Sequence, residues 1–118
     1  LITGKISINS SPETSLYYIR KTETFFERGR GLLGCTGLEE GHGMLISPCN
    51  SIHTFFMKFP IDVIFLSNDN RILAIRPNMK PQRFSRSAKA SSVLELMAGQ
   101  TDISGLQTGD TLLWEPLQ

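Results

Sequence analysis

The apolar positions are densest between Pro48 and Leu66, where Ile52-His53-Thr54-Phe55-Phe56-Met57-Lys58-Phe59 is followed, past Pro60, by Ile61-Asp62-Val63-Ile64-Phe65-Leu66. Aromatic and β-branched residues dominate both runs, and proline removes a ladder donor between them. The pattern predicts two β-segments, residues 52–59 and 62–66, bent apart at Pro60. Strand side chains alternate faces, so His53, Phe55, Met57 and Phe59 share one face of the first segment. Ile52, Thr54, Phe56 and Lys58 share the other. Beyond the proline, Ile61, Val63 and Phe65 oppose Asp62, Ile64 and Leu66. Asn68-Asp69-Asn70 reads as a hairpin turn, because Asn and Asp tolerate left-handed backbone, and residues 71–76 return as its second strand.

The same reading extends in both directions. Residues 5–8 and 15–20 read as strands separated by the turn-forming Asn9-Ser10-Ser11-Pro12. Thr22 or Thr24 can open a short helix, with Glu27 three residues after Thr24 in the capping-box position. Phe25, Phe26, Leu32 and Leu33 would fill one side of that helix, which Gly29 and Gly31 weaken. Residues 39–43 form a turn and 44–47 a short apolar strand. The Pro-, Ser- and Arg-containing residues 77–90 read as a long loop. A strand over 92–97, a helical turn over 100–104 and a last strand over 111–114 complete the chain. About eight short strands with one or two short helices predict a mainly β fold, a compact sandwich or barrel.

Composition narrows the function classes. The 118 residues, 40% hydrophobic and 19% charged, suit a single domain spanning 1–118 that buries its own core. A net charge of +1 argues against a dedicated nucleic-acid surface, which needs a clustered basic face. Lys80, Arg83, Arg86 and Lys89 are instead spread along a loop, as in a solvated segment. No apolar run reaches the roughly 18–20 residues of a membrane helix. The chain opens on Leu rather than Met, so localisation is left between cytoplasmic and, if a leader has been removed, periplasmic or extracellular. Cys35 and Cys49 either pair as one disulfide or stay free thiols.

Four groups of residues carry candidate chemistry. Cys49 and His53 supply a thiol and a base, the pair a nucleophilic mechanism needs. On one straight strand they would stand about 13 Å apart, at roughly 3.3 Å per residue. A turn after Pro48 is required to join them, and the alternative is a packed thiol and a core histidine. Adding His42 would give a ligand set suited to zinc. Asp62 and Glu95 each sit among apolar neighbours, so each is either paired inside or set in a pocket. An Arg30–Asp62 ion pair is the structural reading; two facing carboxylates with one raised pKa would permit acid–base work. Finally, Phe55, Met57, Phe59 and Trp114 either line an apolar cleft or form core.

Three stretches taken together carry a resemblance: Glu27-Arg28-Gly29-Arg30-Gly31-Leu32-Leu33, Cys49 through Phe65, and Val93-Leu94-Glu95-Leu96-Met97-Ala98-Gly99 with Gly105-Leu106-x-x-Gly109-Asp110. In order and spacing they resemble domain of unknown function 192, an uncharacterised prokaryotic family, over roughly residues 15–115. Within it the chain is similar to a branch with a Cys-Asn-Ser-x-His-Thr stretch. The resemblance implies a jelly-roll-like β-sandwich of about a hundred residues and no established activity. It also implies a setting near pilus or secretion machinery. The expectation is therefore a non-enzymatic binding or accessory module without a cofactor, taking a protein, peptide or small-molecule partner. Its site would be built from His53, Phe55, Met57, Asp62 and Glu95. The alternative is a thiol-dependent or hydrolytic enzyme using Cys49 and His53.

Overall fold

A computed structural model describes residues 1–8, 11–32 and 35–117. Its described residues form nine strands and two short helices: β1 (Ile2–Ile8), β2 (Ser11–Lys21), α1 (Phe25–Arg30), β3 (Gly43–Ile46), β4 (Ser51–His53), β5 (Ile61–Leu66), β6 (Ile72–Met79), β7 (Phe84–Arg86), β8 (Ser92–Met97), α2 (Gln100–Ser104) and β9 (Leu112–Pro116). Seven strands make one sheet in the order β6-β5-β8-β3-β2-β1-β9, and β4 pairs with β7 in a separate two-stranded ribbon. All pairings are antiparallel except β2 with β3.

The large sheet curls until its edges meet at one end. Arg71, just before β6, bridges Thr111, just before β9. The Ile72 N–H donates to the Asp110 carbonyl at 2.8 Å, and the Leu112 N–H donates to the Asn70 carbonyl at 2.9 Å. The fold is thus mainly β, as expected, in the form of a half-barrel with two short helices. Alternation sorts the side chains into two cores. Ile6, Ile64, Leu66, Leu94, Leu96 and Leu112 fill the inside of the curl. Met44, Ile46, Ile61, Val63, Phe65 and Val93 face outward and are covered by Leu32, Ile52 and the segments that carry them.

Several local expectations hold. Thr24 caps α1, accepting from the Glu27 N–H at 3.1 Å while Glu27 Oε1 accepts from the Thr24 N–H at 3.3 Å. The β5–β6 hairpin forms, with Asn70 at φ 63° in its turn. The strand at 92–97 and the helical turn at 100–104 lie where predicted. Phe26 does not fill the helix face; it is exposed. Leu33, the Phe25 side chain and Asn9-Ser10 lie outside the described residues, and the rest of the predicted turn, Ser11-Pro12, is already strand, since β2 begins at Ser11.

Two expectations change. The strand predicted over 52–59 ends at His53, and residues 54–60 fold back as turns and bends. Thr54 causes the break: it is wholly buried, and its hydroxyl donates to the Lys80 carbonyl at 2.6 Å and accepts from the Arg83 N–H at 2.8 Å. The predicted 77–90 loop is shorter than its composition suggests. β6 continues to Met79 through Pro77, and Phe84–Arg86 form β7 against β4. Edge position makes this possible, because β6 has β5 on one side only and proline is tolerated on an edge.

Candidate functional site

On the outward face of the sheet, α1 and the turn after it, the end of β3, the Pro48–Ser51 turn and β4 border a half-open cavity of about 220 Å³. Its walls include Arg28, Arg30, Cys49, His53, Met57 and Glu95, with Leu32, Ile46 and Ile52 as apolar lining. The elements explain the gathering. The Thr24 capping box sets where α1 begins, and with it the positions of Arg28 and Arg30 at the rim of the cavity. The chain then turns at Gly31, whose φ of +52° is left-handed backbone that favours glycine. A Cβ there would stand 3.6 Å from Glu95 Oε1.

Glu95 is the acid of this cavity. β8 directs Val93 and Glu95 outward and Leu94 and Leu96 into the curl, and Glu95 is 4% exposed. Its Oε1 makes no hydrogen bond among the described residues. Removal from water raises its pKa to about 7. The polar atom is thus buried and unpartnered, on a side chain that lines the cavity.

The Pro48–Ser51 turn brings Cys49 and His53 to the same cavity, as the thiol reading requires. The chemistry of the thiol differs from that reading. Burial pushes the Cys49 thiol up, and the nearby Glu95 pushes it the same way; the Ser51 backbone and Arg28 act in the opposite sense. Cys49 Sγ donates to the Ser51 carbonyl at 3.0 Å. Both cysteines are free, so the disulfide alternative is not realised. The His53 ring stacks on Phe55 with centroids 5.2 Å apart, so Phe55 borders the histidine and is absent from the cavity wall itself. Met57 lines the cavity, whereas Trp114 packs against the inner core.

The two carboxylates are on opposite faces of the sheet. Asp62 points into the curl between outward-facing Ile61 and Val63, and across β5–β8 the partners are Asp62 with Leu96 and Val63 with Glu95. Asp62 Oδ1 accepts from the Asn78 N–H at 2.8 Å, and Oδ2 accepts from the Thr101 N–H at 3.0 Å. It anchors the first turn of α2, which has no side-chain cap of its own. The expected Arg30–Asp62 ion pair is therefore corrected: Arg30 lies at the outer cavity and Asp62 on the inner face. Asp62 leaves the proposed ligand site for the same reason, and the facing-carboxylate mechanism with it. The His42 ring stacks on Tyr18 at 5.0 Å, away from Cys49 and His53. Among the described residues no three His, Cys, Asp or Glu side chains are placed to hold a metal.

Sequence reasoning missed three features: the apolar lining from Leu32 and Ile46, the proximity of Gly31 to Glu95, and the role of Thr54. The first two depend on α1 folding over the sheet. The third had a signal, a threonine at an inward position within an aromatic run.

A half-barrel with a partly apolar pocket and a buried acid outside the curl defines a small β domain with a ligand-sized pocket on its covered face. The chain belongs to the DUF192 family, described as an uncharacterized ACR, whose model matches residues 6–114. It is 31% identical over 103 residues to a UPF0127 protein of Thermococcus sibiricus, covering 82% of this chain and 66% of the relative. A second UPF0127 protein, from Thermococcus kodakarensis, is 26% identical over 106 residues, covering 85% and 66%. The chain thus spans just under two thirds of these relatives' length. Two crystal structures share the fold at 23% identity. A protein of unknown function from Novosphingobium aromaticivorans superposes with a TM-score of 0.80, covering 95% of this chain and 84% of that one. A Sinorhizobium meliloti protein, described as a candidate transcription regulator, superposes with a TM-score of 0.84, covering 95% and 93%. No helix among the described residues is long and apolar enough to cross a membrane.

Proposed function

We propose that the protein is a binding module whose ligand seat is the Glu95 cavity. The observation that carries this reading is the buried, unpartnered Oε1 of Glu95, a residue that lines the cavity. Leaving a buried polar atom unsatisfied costs about 1–3 kcal/mol, and more when it is charged. Such a group is accounted for when something else supplies its hydrogen bond, and perturbed acids in pockets collect at functional sites. The cavity also has a size and an apolar lining suited to a small ligand or one side chain of a partner. A protein or small-molecule partner in pilus or secretion assembly is the setting this reading takes from the resemblance. The runner-up, an enzyme using Cys49 and His53, is disfavoured by the thiol that burial raises, which leaves little thiolate at neutral pH.

The test is a fragment titration of isotopically labelled protein. Ligands should shift the amides of Leu32, Ile52, His53 and Met57. Ser51→Trp, which fills the cavity from a partly exposed wall position, should abolish those shifts. Binding only at other surfaces, unaffected by Ser51→Trp, would reject the proposal.

A further inference from the structure

The chemistry of the Glu95 cavity narrows its ligand, on the reading that the cavity is the binding seat. Three features stand together on one wall system. Glu95 Oε1 is a buried acceptor with no donor. Leu32, Ile46, Ile52 and Met57 give an apolar body to the cavity, while Arg28 and Arg30 border it from α1. Outside, the ribbon beside it is basic: Arg86 stands opposite Ser51 and Phe84 opposite His53 in the β4–β7 pair. Between residues 72 and 91 the charged side chains are Arg76, Lys80, Arg83, Arg86 and Lys89, all exposed, with no acid among them.

Each feature selects. To displace water from a carboxylate, a ligand needs a stronger donor than water, and an ammonium forms charge-assisted bonds roughly twice as strong as neutral ones. A bare cation is repelled by the basic surroundings, so the ammonium has to be accompanied by oxygen acceptors of its own. The apolar lining asks for an aliphatic group attached nearby. We infer that the cavity recognises the protonated α-amino group of an aliphatic residue, either as a free amino acid or at the amino terminus of a peptide. The ammonium meets Glu95, the adjoining carboxylate or carbonyl oxygen faces the arginine side of the cavity, and the side chain packs on Ile46, Ile52 and Met57.

The pH dependence follows from the same arrangement. The ionisable groups sharing the cavity are Glu95 from β8, Arg28 and Arg30 from α1, Cys49 from the turn before β4, and His53 from β4. The site binds an ammonium through the ionised acid, and Glu95 holds its proton up to about pH 7. Affinity therefore rises as pH is taken from 6 to 8.

Calorimetric titration with four probes tests this: norleucine, the tripeptide norleucyl-glycyl-glycine, N-acetylnorleucine and hexanoate. At pH 8 at least one of the two free-amine probes should bind. The acetylated and amine-free probes should bind at least tenfold more weakly. Norleucine binding alone identifies a free amino acid as the source, and tripeptide binding alone identifies a peptide terminus. Glu95→Gln should reduce free-amine affinity at least tenfold and remove the rise between pH 6 and 8. His53→Gln should keep that rise. Glu95→Leu serves as a second variant, and both changes remove an unpartnered buried acid without adding volume that the cavity cannot take.

Equal binding of hexanoate or N-acetylnorleucine, or no binding of either free amine, would overturn the inference. If other fragments still shift the cavity amides, the binding-module reading survives that failure. If no fragment does, both fall.

Discussion

Glu95 stands between Leu94 and Leu96, and its surroundings set its protonation more than any neighbouring charge does. Its folded pKa of about 7 lies above the ordinary value of 4.5. The direction of the linkage follows from proton counts. Between those two values the unfolded chain releases the proton while the folded chain keeps it, so this group's contribution to stability falls as pH rises. Below about 4.5 it contributes nothing, and above about 7 its destabilisation is complete. At 1.36 kcal/mol per unit the total is on the order of 3 kcal/mol. Glu95→Gln should abolish this component. Urea denaturation at pH 5 and pH 8 should therefore show the variant gaining on the wild type by a few kcal/mol at the higher pH. An equal difference at both pH values would mean the carboxyl is solvated in the folded protein. Asp62 shows the opposite arrangement at the same scale: equally buried, it has two backbone donors on its two oxygens.

At the scale of elements, the site owes its shape to a strand that stops early. β4 is three residues long because Thr54 turns inward and holds the chain of residues 80–83 by both of its backbone groups. The Gln82 N–H donates to the Thr54 carbonyl at 2.9 Å, and the Thr54 N–H donates to the Arg83 carbonyl at 2.8 Å. Its hydroxyl adds the bonds to Lys80 and Arg83. The 54–60 segment is thereby freed to fold back, which brings Met57 to the cavity and leaves Phe56 exposed at a φ of 65°. Thr54→Val keeps the shape and removes the hydroxyl, leaving the Lys80 carbonyl and the Arg83 N–H short of a partner. Its expected cost is about 1–3 kcal/mol. Hydrogen exchange should show faster exchange at Arg83 with β5 and β8 unchanged. Unchanged protection at Arg83 would show that the backbone bonds suffice to hold the turn.

Over the whole molecule, β3 joins the two halves of the curl. It runs parallel to β2 and antiparallel to β8, with Gly43 paired to Ile19 on one side and Leu96 on the other. No side chain fits at Gly43, because a Cβ would stand 2.4 Å from the Glu95 carbonyl oxygen and 2.6 Å from Leu96 Cδ2. Gly43→Ala must push β8 away, and since β8 carries Glu95 it disturbs the cavity as well. Overpacking of this kind costs about 1–3 kcal/mol, a fall in Tm of roughly 5–15 °C for a domain of this size. Thermal unfolding that matched the wild type would show that β3 and β8 can separate without loss.

The chain by itself determined the features that arise from neighbours in sequence. Alternation fixed the faces of β5 and β8, Asn68-Asp69-Asn70 the hairpin, and Thr24 with Glu27 the start of α1. The mainly β class followed from the number and shortness of the apolar runs, and Cys49, His53, Met57 and Glu95 were marked as unusual by their positions within them. Tertiary structure decided which of these meet. Asp62 and Glu95 look alike in sequence, each an acid in an apolar strand. Antiparallel register sets Val63 opposite Glu95 and so turns the two acids to opposite faces, one onto the backbone of α2 and the other into a cavity. The fold of α1 across the sheet brought Arg28, Arg30 and Gly31 to Glu95 over more than sixty residues of chain, a distance that no local pattern encodes.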